Sequence, residues 1–233
     1  MPRCRAFVLV ALLFTTATFA PTVRSAPPDA GFSLRQVLSY PFPQGLASSQ
    51  HGDRIPWVVN LGGVRNVWIA QAPEFKPHKV TRFTADDGQE ITQLTFSPSG
   101  DALVFVRGGD HDANWPEKLE PDPASSPVEP KAMLWTVDLH AATSHELTEG
   151  DAPAISSTGK LAFIKDDQVW TASLAAKDKA KPKRLFFDRG KDGDLQWSPD
   201  GKRIAFVSNR GDHAFIGIYA GDDTPLEYLA PST

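Results

Sequence analysis

Apolar and polar positions alternate in short runs along this chain, and the runs return in a fixed order. Four times a turn-like stretch ends in Gly and is followed by an alternating run: Ile55/Trp57/Val59 after Gly52, Leu103/Phe105 after Gly100, Leu161/Phe163 after Gly159 and Ile204/Phe206 after Gly201. The turns read Ala47-Ser48-Ser49-Gln50-His51-Gly52, Leu94-Thr95-Phe96-Ser97-Pro98-Ser99-Gly100, Ala154-Ile155-Ser156-Ser157-Thr158-Gly159 and Leu195-Gln196-Trp197-Ser198-Pro199-Asp200-Gly201. Further on comes an apolar-aromatic pair, Val67-Trp68, Leu134-Trp135, Val169-Trp170 or Ile218-Tyr219. Three copies close on a fourth short segment, at Lys79-Val80-Thr81, Glu146-Leu147-Thr148 and Arg184-Leu185-Phe186. Period-2 alternation rich in β-branched and aromatic residues predicts half-buried strands. In Ser-Pro-Asp-Gly, Pro presets φ, Asp bonds its own backbone and Gly accepts positive φ.

A recurrence of about 40 to 60 residues with four strand signals per unit predicts a β-propeller. The expected fold is all-β, with about four blades of four antiparallel strands in an incomplete ring. Residues 26–38 form a lead segment and 39–233 the partial propeller, with blades at about 39–83, 84–148, 149–187 and 188–233. No helix is expected beyond the N-terminal leader and Leu34 to Leu38. One such sheet cannot bury both faces, so blades must stack; Trp57, Trp68, Trp135, Trp170 and Trp197 are expected to fill the space between them.

The first 25 residues read as a signal peptide rather than as fold. Arg3 and Arg5 precede an apolar stretch, Ala6 to Phe14, too short to span a bilayer, and Val23-Arg24-Ser25 offers a cleavage site before Ala26. The expected location is periplasmic or secreted, with no membrane attachment after cleavage. Cys4 is the only cysteine and lies in this leader, so the remainder has no disulfide and no thiol nucleophile. The formal charge is −4; without Arg3, Arg5 and Arg24 it becomes about −7, which disfavours nucleic acid as a partner.

In each predicted blade the Gly turn lies on one side. The second-to-third strand connection and the blade-to-blade connection lie on the other. That second side collects the unusual sequence: Asp86-Asp87-Gly88-Gln89-Glu90, Gly108 to Pro116, Glu149-Gly150-Asp151, Asp188 with Asp192 and Asp194, and Asn209 to His213. Loops on one side of a rigid scaffold commonly carry function. Asp110-His111-Asp112-Ala113-Asn114 has the alternate oxygen spacing of a calcium loop, but Trp115 replaces the turn Gly and Pro121 the closing Glu. There is no His-Glu-x-x-His stretch and no Cys/His zinc spacing, so neither metal nor cofactor is expected. Gly-x-Ser-x-Gly is absent too, so no catalytic residue is assigned.

Phe-Ser-Pro-x-Gly and Trp-Ser-Pro-Asp-Gly-Lys-Arg-Ile-Ala-Phe-Val-Ser resemble the repeats of TolB-type propellers and of the N-terminal propeller of the prolyl oligopeptidase family. Phe32 to Pro43, Gly63 to Trp68, Asp87 to Glu90 and Gly109 to Pro116 look like secreted bacterial members related to dipeptidyl-peptidases and acylaminoacyl-peptidases. The resemblance implies a non-catalytic, substrate-gating propeller of a secreted serine peptidase acting on short peptides. It further implies a C-terminal α/β-hydrolase domain, lying outside this chain, that performs the proteolysis. By loop side and charge the substrate-binding candidates are Asp86, Asp87, Glu90, Arg107, Asp110, His111, Asp112, Trp115, Arg210, Asp212 and His213. The acids would hold a substrate's free N-terminus; Arg107 and Arg210 would orient loops or bind a substrate carbonyl, or merely neutralise neighbouring aspartates. The alternative is a periplasmic TolB-like propeller that binds proteins without catalysis. The open edges and uncovered faces of an incomplete ring would also favour self-association.

Overall fold

The structure, a computed structural model, describes residues 31–109, 130–174 and 181–229. Residues 1–37 and 38–233 form separate units. The one helix among the described residues, Leu34–Leu38, is capped by Ser33: its Oγ accepts from Gln36 N at 3.2 Å, and Gln36 Oε1 accepts from Ser33 N at 2.9 Å. This reciprocal pair is the capping-box arrangement.

Four antiparallel four-stranded sheets make up the rest. The first contains β1 (Phe42–Gln44), β2 (Arg54–Leu61), β3 (Val64–Gln71) and β4 (His78–Lys79). The second contains β5 (Ile91–Phe96), β6 (Ala102–Arg107), β7 (Met133–Asp138) and β8 (Thr143–Glu149). The third contains β9 (Asp151–Ile155), β10 (Leu161–Lys165), β11 (Gln168–Ala172) and β12 (Lys183–Arg184). The fourth contains β13 (Lys191–Trp197), β14 (Ile204–Asn209), β15 (Ala214–Tyr219) and β16 (Glu227–Tyr228). Each is an up-and-down meander in chain order, as blades require.

The first-to-second strand turns are built alike. Gly52, Gly100, Gly159 and Gly201 have φ of 70°, 74°, 81° and 67° and donate to the carbonyls of Ser49, Ser97, Ser156 and Ser198 at 2.8–3.0 Å. Each Ser also closes the loop with its hydroxyl, which accepts from the backbone N of Arg54, Ala102, Lys160 or Arg203 at 2.9–3.1 Å. The repeated turn unit is thus Ser-x-x-Gly; Pro98, Pro199 and Asp200 are optional additions.

Four residues before each Ser stands a residue at positive φ: Gly45 at 65°, Gln93 at 55°, Ala152 at 47° and Asp194 at 49°. In the last three sheets the ladder between first and second strands shifts register beside it. Such a bulge bends the strand. The bent segments Leu94–Ser97, Ala154–Ile155 and Leu195–Ser198, with Ser48 and Gln50, surround a cavity of about 530 Å³ at the turn side.

Neighbouring sheets meet by one rule. Leu103 and Phe105, with Trp135 and Val137 opposite, pack on Val58, Val67 and Ile69 of the first sheet. Leu161 and Phe163 pack on Val104, Val106 and Leu134 of the second. Ile204, flanked by Phe186 and Trp197, packs on Ala162 and Val169 of the third. Phe105, Phe163 and Phe206 are fully buried or nearly so, and truncating a ring of this kind costs about 3–5 kcal/mol. Trp135, Trp170 and Trp197 join these contacts as expected. Trp57 and Trp68 do not: they pair with each other on the face of the first sheet turned away from the second.

Candidate functional site

Opposite the Ser-x-x-Gly turns, the end of each second strand meets the segment leading into its own blade. In the second blade Arg107, the last residue of β6, donates through Nη2 to Asp87 Oδ2 at 2.5 Å. Its guanidinium lies 4.3 Å from the centre of the Phe83 ring. Phe83 is itself fixed by Asn66, whose Nδ2 donates to Phe83 O at 3.0 Å and whose Oδ1 accepts from Phe83 N at 2.9 Å. In the third blade Lys165, at the end of β10, and Lys131 hold Glu149 at 3.2 and 2.8 Å. In the fourth, Arg210 follows β14 and pairs with Asp188 at 3.1 Å while lying over Phe215 and Tyr228. With Lys165 Nζ 5.8 Å from the centre of the Trp170 ring in the third blade, a cation, a carboxylate and an aromatic ring recur as a clasp in three blades.

These clasps shift the acids. Burial works most strongly against the Asp87 charge, but the Arg107 hydrogen bond and charge together with backbone donors overcome it and hold the carboxyl below its usual range. Lys131 and Lys165 do the same for Glu149. Asp188 also overcomes its burial: Ser208 Oγ, Tyr228 OH and Gly190 N all donate to it, and its pKa falls well below the carboxylate range. Tyr228 is pushed up to about 12, by burial first, then by its hydrogen bond to Asp188 and the Asp188 charge. Asp192 is 6% exposed, and neither of its carboxylate oxygens is held by a well-formed hydrogen bond. Burial, then the charge of Asp188, raises its pKa to about 7.

The candidate residues fall into two groups. Asp86, Asp87, Glu90 and Arg107 lie together between the first and second blades. The Asp86 carboxyl fills the space beside Gly63 in the β2–β3 hairpin, where φ is +89° and a side chain would collide with it. Glu90 accepts through its carbonyl from Gly108 N at 3.0 Å. Among the described residues neither Asp86 nor Glu90 has an ion pair. Arg210, Asp212 and His213 lie at the fourth blade; Asp212, with a side chain 90% exposed, meets His213 Nδ1 at 2.6 Å on the β14–β15 hairpin. Asp110, His111, Asp112 and Trp115 lie outside the described residues. Arg107 and Arg210 each pair with an aspartate and lie over aromatic rings. Sequence reasoning passed over Asp188, Ser208 and Tyr228 as one unit; the sole hint was Asp188 lying 22 residues before a basic residue, as Asp87 lies 20 before Arg107.

No group of His, Cys, Asp or Glu suited to a metal ion occurs among the described residues, and no described helix is long and apolar enough to cross a membrane.

No family model matches the chain. It is 25% identical to dipeptidyl aminopeptidase BIII of Pseudoxanthomonas mexicana over 246 aligned positions, covering 99% of this chain and 30% of that protein. A prolyl endopeptidase structure superposes with a TM-score of 0.59 at 10% identity, over 85% of this chain and 31% of its own. The four sheets are β-propeller blades, in the fold seen in that prolyl endopeptidase and in TolB. TolB from Acinetobacter baumannii gives a TM-score of 0.54 at 17% identity, over 83% of this chain and 44% of its own. The chain therefore spans under half the length of each, and the propeller's clasped side is the one that carries its acidic loops.

Proposed function

We propose that this propeller segment is the non-catalytic recognition part of a secreted peptidase acting on short peptides. The observation that carries the reading is the match of nearly the whole chain to dipeptidyl aminopeptidase BIII. In this reading residues 1–25 are a cleaved export signal. A serine hydrolase domain performs the chemistry, since Gly-x-Ser-x-Gly is absent here. The clasped side faces that domain. Asp86 and Glu90, which no described cation neutralises, attract the substrate's α-ammonium group together with Asp110 and Asp112. Charge-assisted hydrogen bonds of that kind contribute about 1.5–3 kcal/mol each. Arg107 and Arg210 act as positioning residues that fix the acidic loops.

A second reading, a TolB-like propeller that binds proteins, draws on the TolB fold likeness. The test is Asp86→Asn with Glu90→Gln in the protein isolated from its native cells, assayed on dipeptide substrates with free and N-acetylated amines. A loss of kcat/KM of tenfold or more, confined to the free-amine substrate, supports the recognition role. Equal effects on both substrates, or none, reject it.

A further inference from the structure

Two buried acids, Asp188 and Asp192, meet where the third blade joins the fourth. Ser208 links them: it stands opposite Asp192 in the β13–β14 ladder, and its hydroxyl donates to Asp188 Oδ2. Their surroundings differ. Ser208, Tyr228, Gly190 and Arg210 all donate to Asp188, so its charge is well stabilised. Neither oxygen of Asp192 is held in this way, and a lone charge there is costly. The charged and titratable groups around Asp192 offer it no cation. Asp188 repels it, and Asp167 on the β10–β11 hairpin does so too, with Lys191 engaged to Asp167 at 3.6 Å. Tyr228 on β16 keeps its proton, and Arg210 is committed to Asp188.

The segment carrying both acids is docked on the third blade. Gln168 Oε1 accepts from Asp188 N at 2.9 Å, Gln168 Nε2 donates to Gly190 O at 3.0 Å, and Asp192 N donates to Asp167 O at 2.9 Å. Just beyond, Asp194 at φ 49° and the register shift between Gly193 and Gln196 bend β13. That bulge is a hinge: residues 188–193 can lift while Leu195 and Trp197 stay packed on the third blade.

We propose that Asp192 holds a proton against the Asp188 carboxylate, and that this proton is a latch: it keeps the third and fourth blades docked at the clasped side and lets go in mildly alkaline solution. With the proton in place Asp192 is neutral, and the only buried charge is the fully partnered Asp188. Once the proton passes to water, two carboxylates share one buried site, and the segment lifts to hydrate them. Burial, then the Asp188 charge, put the Asp192 pKa at about 7, near where the latch releases. A metal ion is the poorer occupant, because donors already take the Asp188 lone pairs and Arg210 stands beside them. The latch acts alike in a peptidase and in a protein-binding propeller.

The test is hydrogen–deuterium exchange read by mass spectrometry on the protein isolated from its native cells, from about pH 6 to about pH 9. After correction for the intrinsic rate, exchange in peptides covering residues 188–193 is expected to rise about tenfold per pH unit above neutral, while β6 and β7 of the second blade hold still. Asp192→Asn, neutral at every pH, is expected to keep the segment closed throughout. Asp194→Asn, at an exposed acid beside it, is expected to leave the parent's profile unchanged. Far-ultraviolet circular dichroism checks the fold, and Asp192→Ser serves if the Asn variant fails it. A corrected exchange rate that does not change with pH overturns the latch. So does an Asp192→Asn variant that opens as the parent does. Equal opening of the second blade reports global unfolding and overturns a local joint. Closure restored in alkaline solution by calcium chloride overturns the proton as the occupant.

Discussion

Arg210 Nη2 lies 3.1 Å from Asp188 Oδ1, an ion pair in which the acid is 1% exposed and the base 28%. Asp188 is also the acceptor for Ser208, Tyr228 and Gly190, so one carboxylate ties together β14, β16 and the segment leading into β13. Removing one partner of such a pair leaves a buried charge unpaired. Arg210→Leu is expected to lower stability by about 2–3 kcal/mol in urea unfolding, less than for a wholly buried pair because the guanidinium is partly solvated. Arg107→Leu is expected to cost less, since Asp87 is itself one-third exposed.

Asp192 and Asp188 have opposite pH signatures. Asp192 has its pKa raised from 3.8 to about 7, so between those values the folded chain holds a proton the unfolded chain has released. Its contribution is fully present below about 3.8 and is lost as pH rises through about 7. Asp188 is lowered, so its contribution is present above 3.8 and lost as pH falls below it. Together they place maximal stability in the weakly acidic range. Asp192→Asn is expected to flatten the decline towards neutral pH and to add on the order of 1–3 kcal/mol at pH 8, by replacing an unsatisfied buried charge. Urea midpoints measured from pH 4 to 8 check both statements.

The left-handed residue before each turn gives a paired expectation. Ala152 has φ of 47°, and Gly45 occupies the matching site at 65°. A side chain in this region costs roughly 1–2 kcal/mol. Ala152→Gly is expected to stabilise by up to about 1 kcal/mol, the gain being reduced by the entropy of Gly in the unfolded chain. Gly45→Ala is expected to destabilise by about 1 kcal/mol; its Cβ would meet only Val58 Cγ2, at 3.7 Å, so backbone strain and not crowding sets the cost. Thermal unfolding of both variants separates the two signs.

The blades were legible because their turns and their second and third strands carry local signals: Gly where φ is positive, and alternation such as Leu103/Phe105 where one sheet covers the next. The bulge was not, since Gln93, Ala152 and Asp194 share no residue type; only backbone geometry makes them equivalent. The turn serines Ser49, Ser97, Ser156 and Ser198 are less legible than Pro and Gly, because a serine imposes no backbone dihedral and its capping role shows only in the hydrogen bonds. Trp57 and Trp68 were read as packed between sheets because sequence pattern reports a face, not whether another sheet covers it. On the clasped side the charge was visible and its pairing was not. Asp87 and Arg107, or Asp188 and Arg210, are brought together across the length of a first strand and turn, a distance that no local pattern encodes.

The peptidase reading is tested most directly on the protein in its native cells. It would be captured with an antibody to the blades, labelled with a fluorophosphonate that reacts with activated serine, and assayed on a dipeptide anilide. The account predicts that the captured material is labelled, that the label lies on a polypeptide carrying or bound to these blades, and that it cleaves free-amine substrate. Captured blades without label or cleavage, accompanied instead by stoichiometric protein partners, would contradict it and favour the binding propeller.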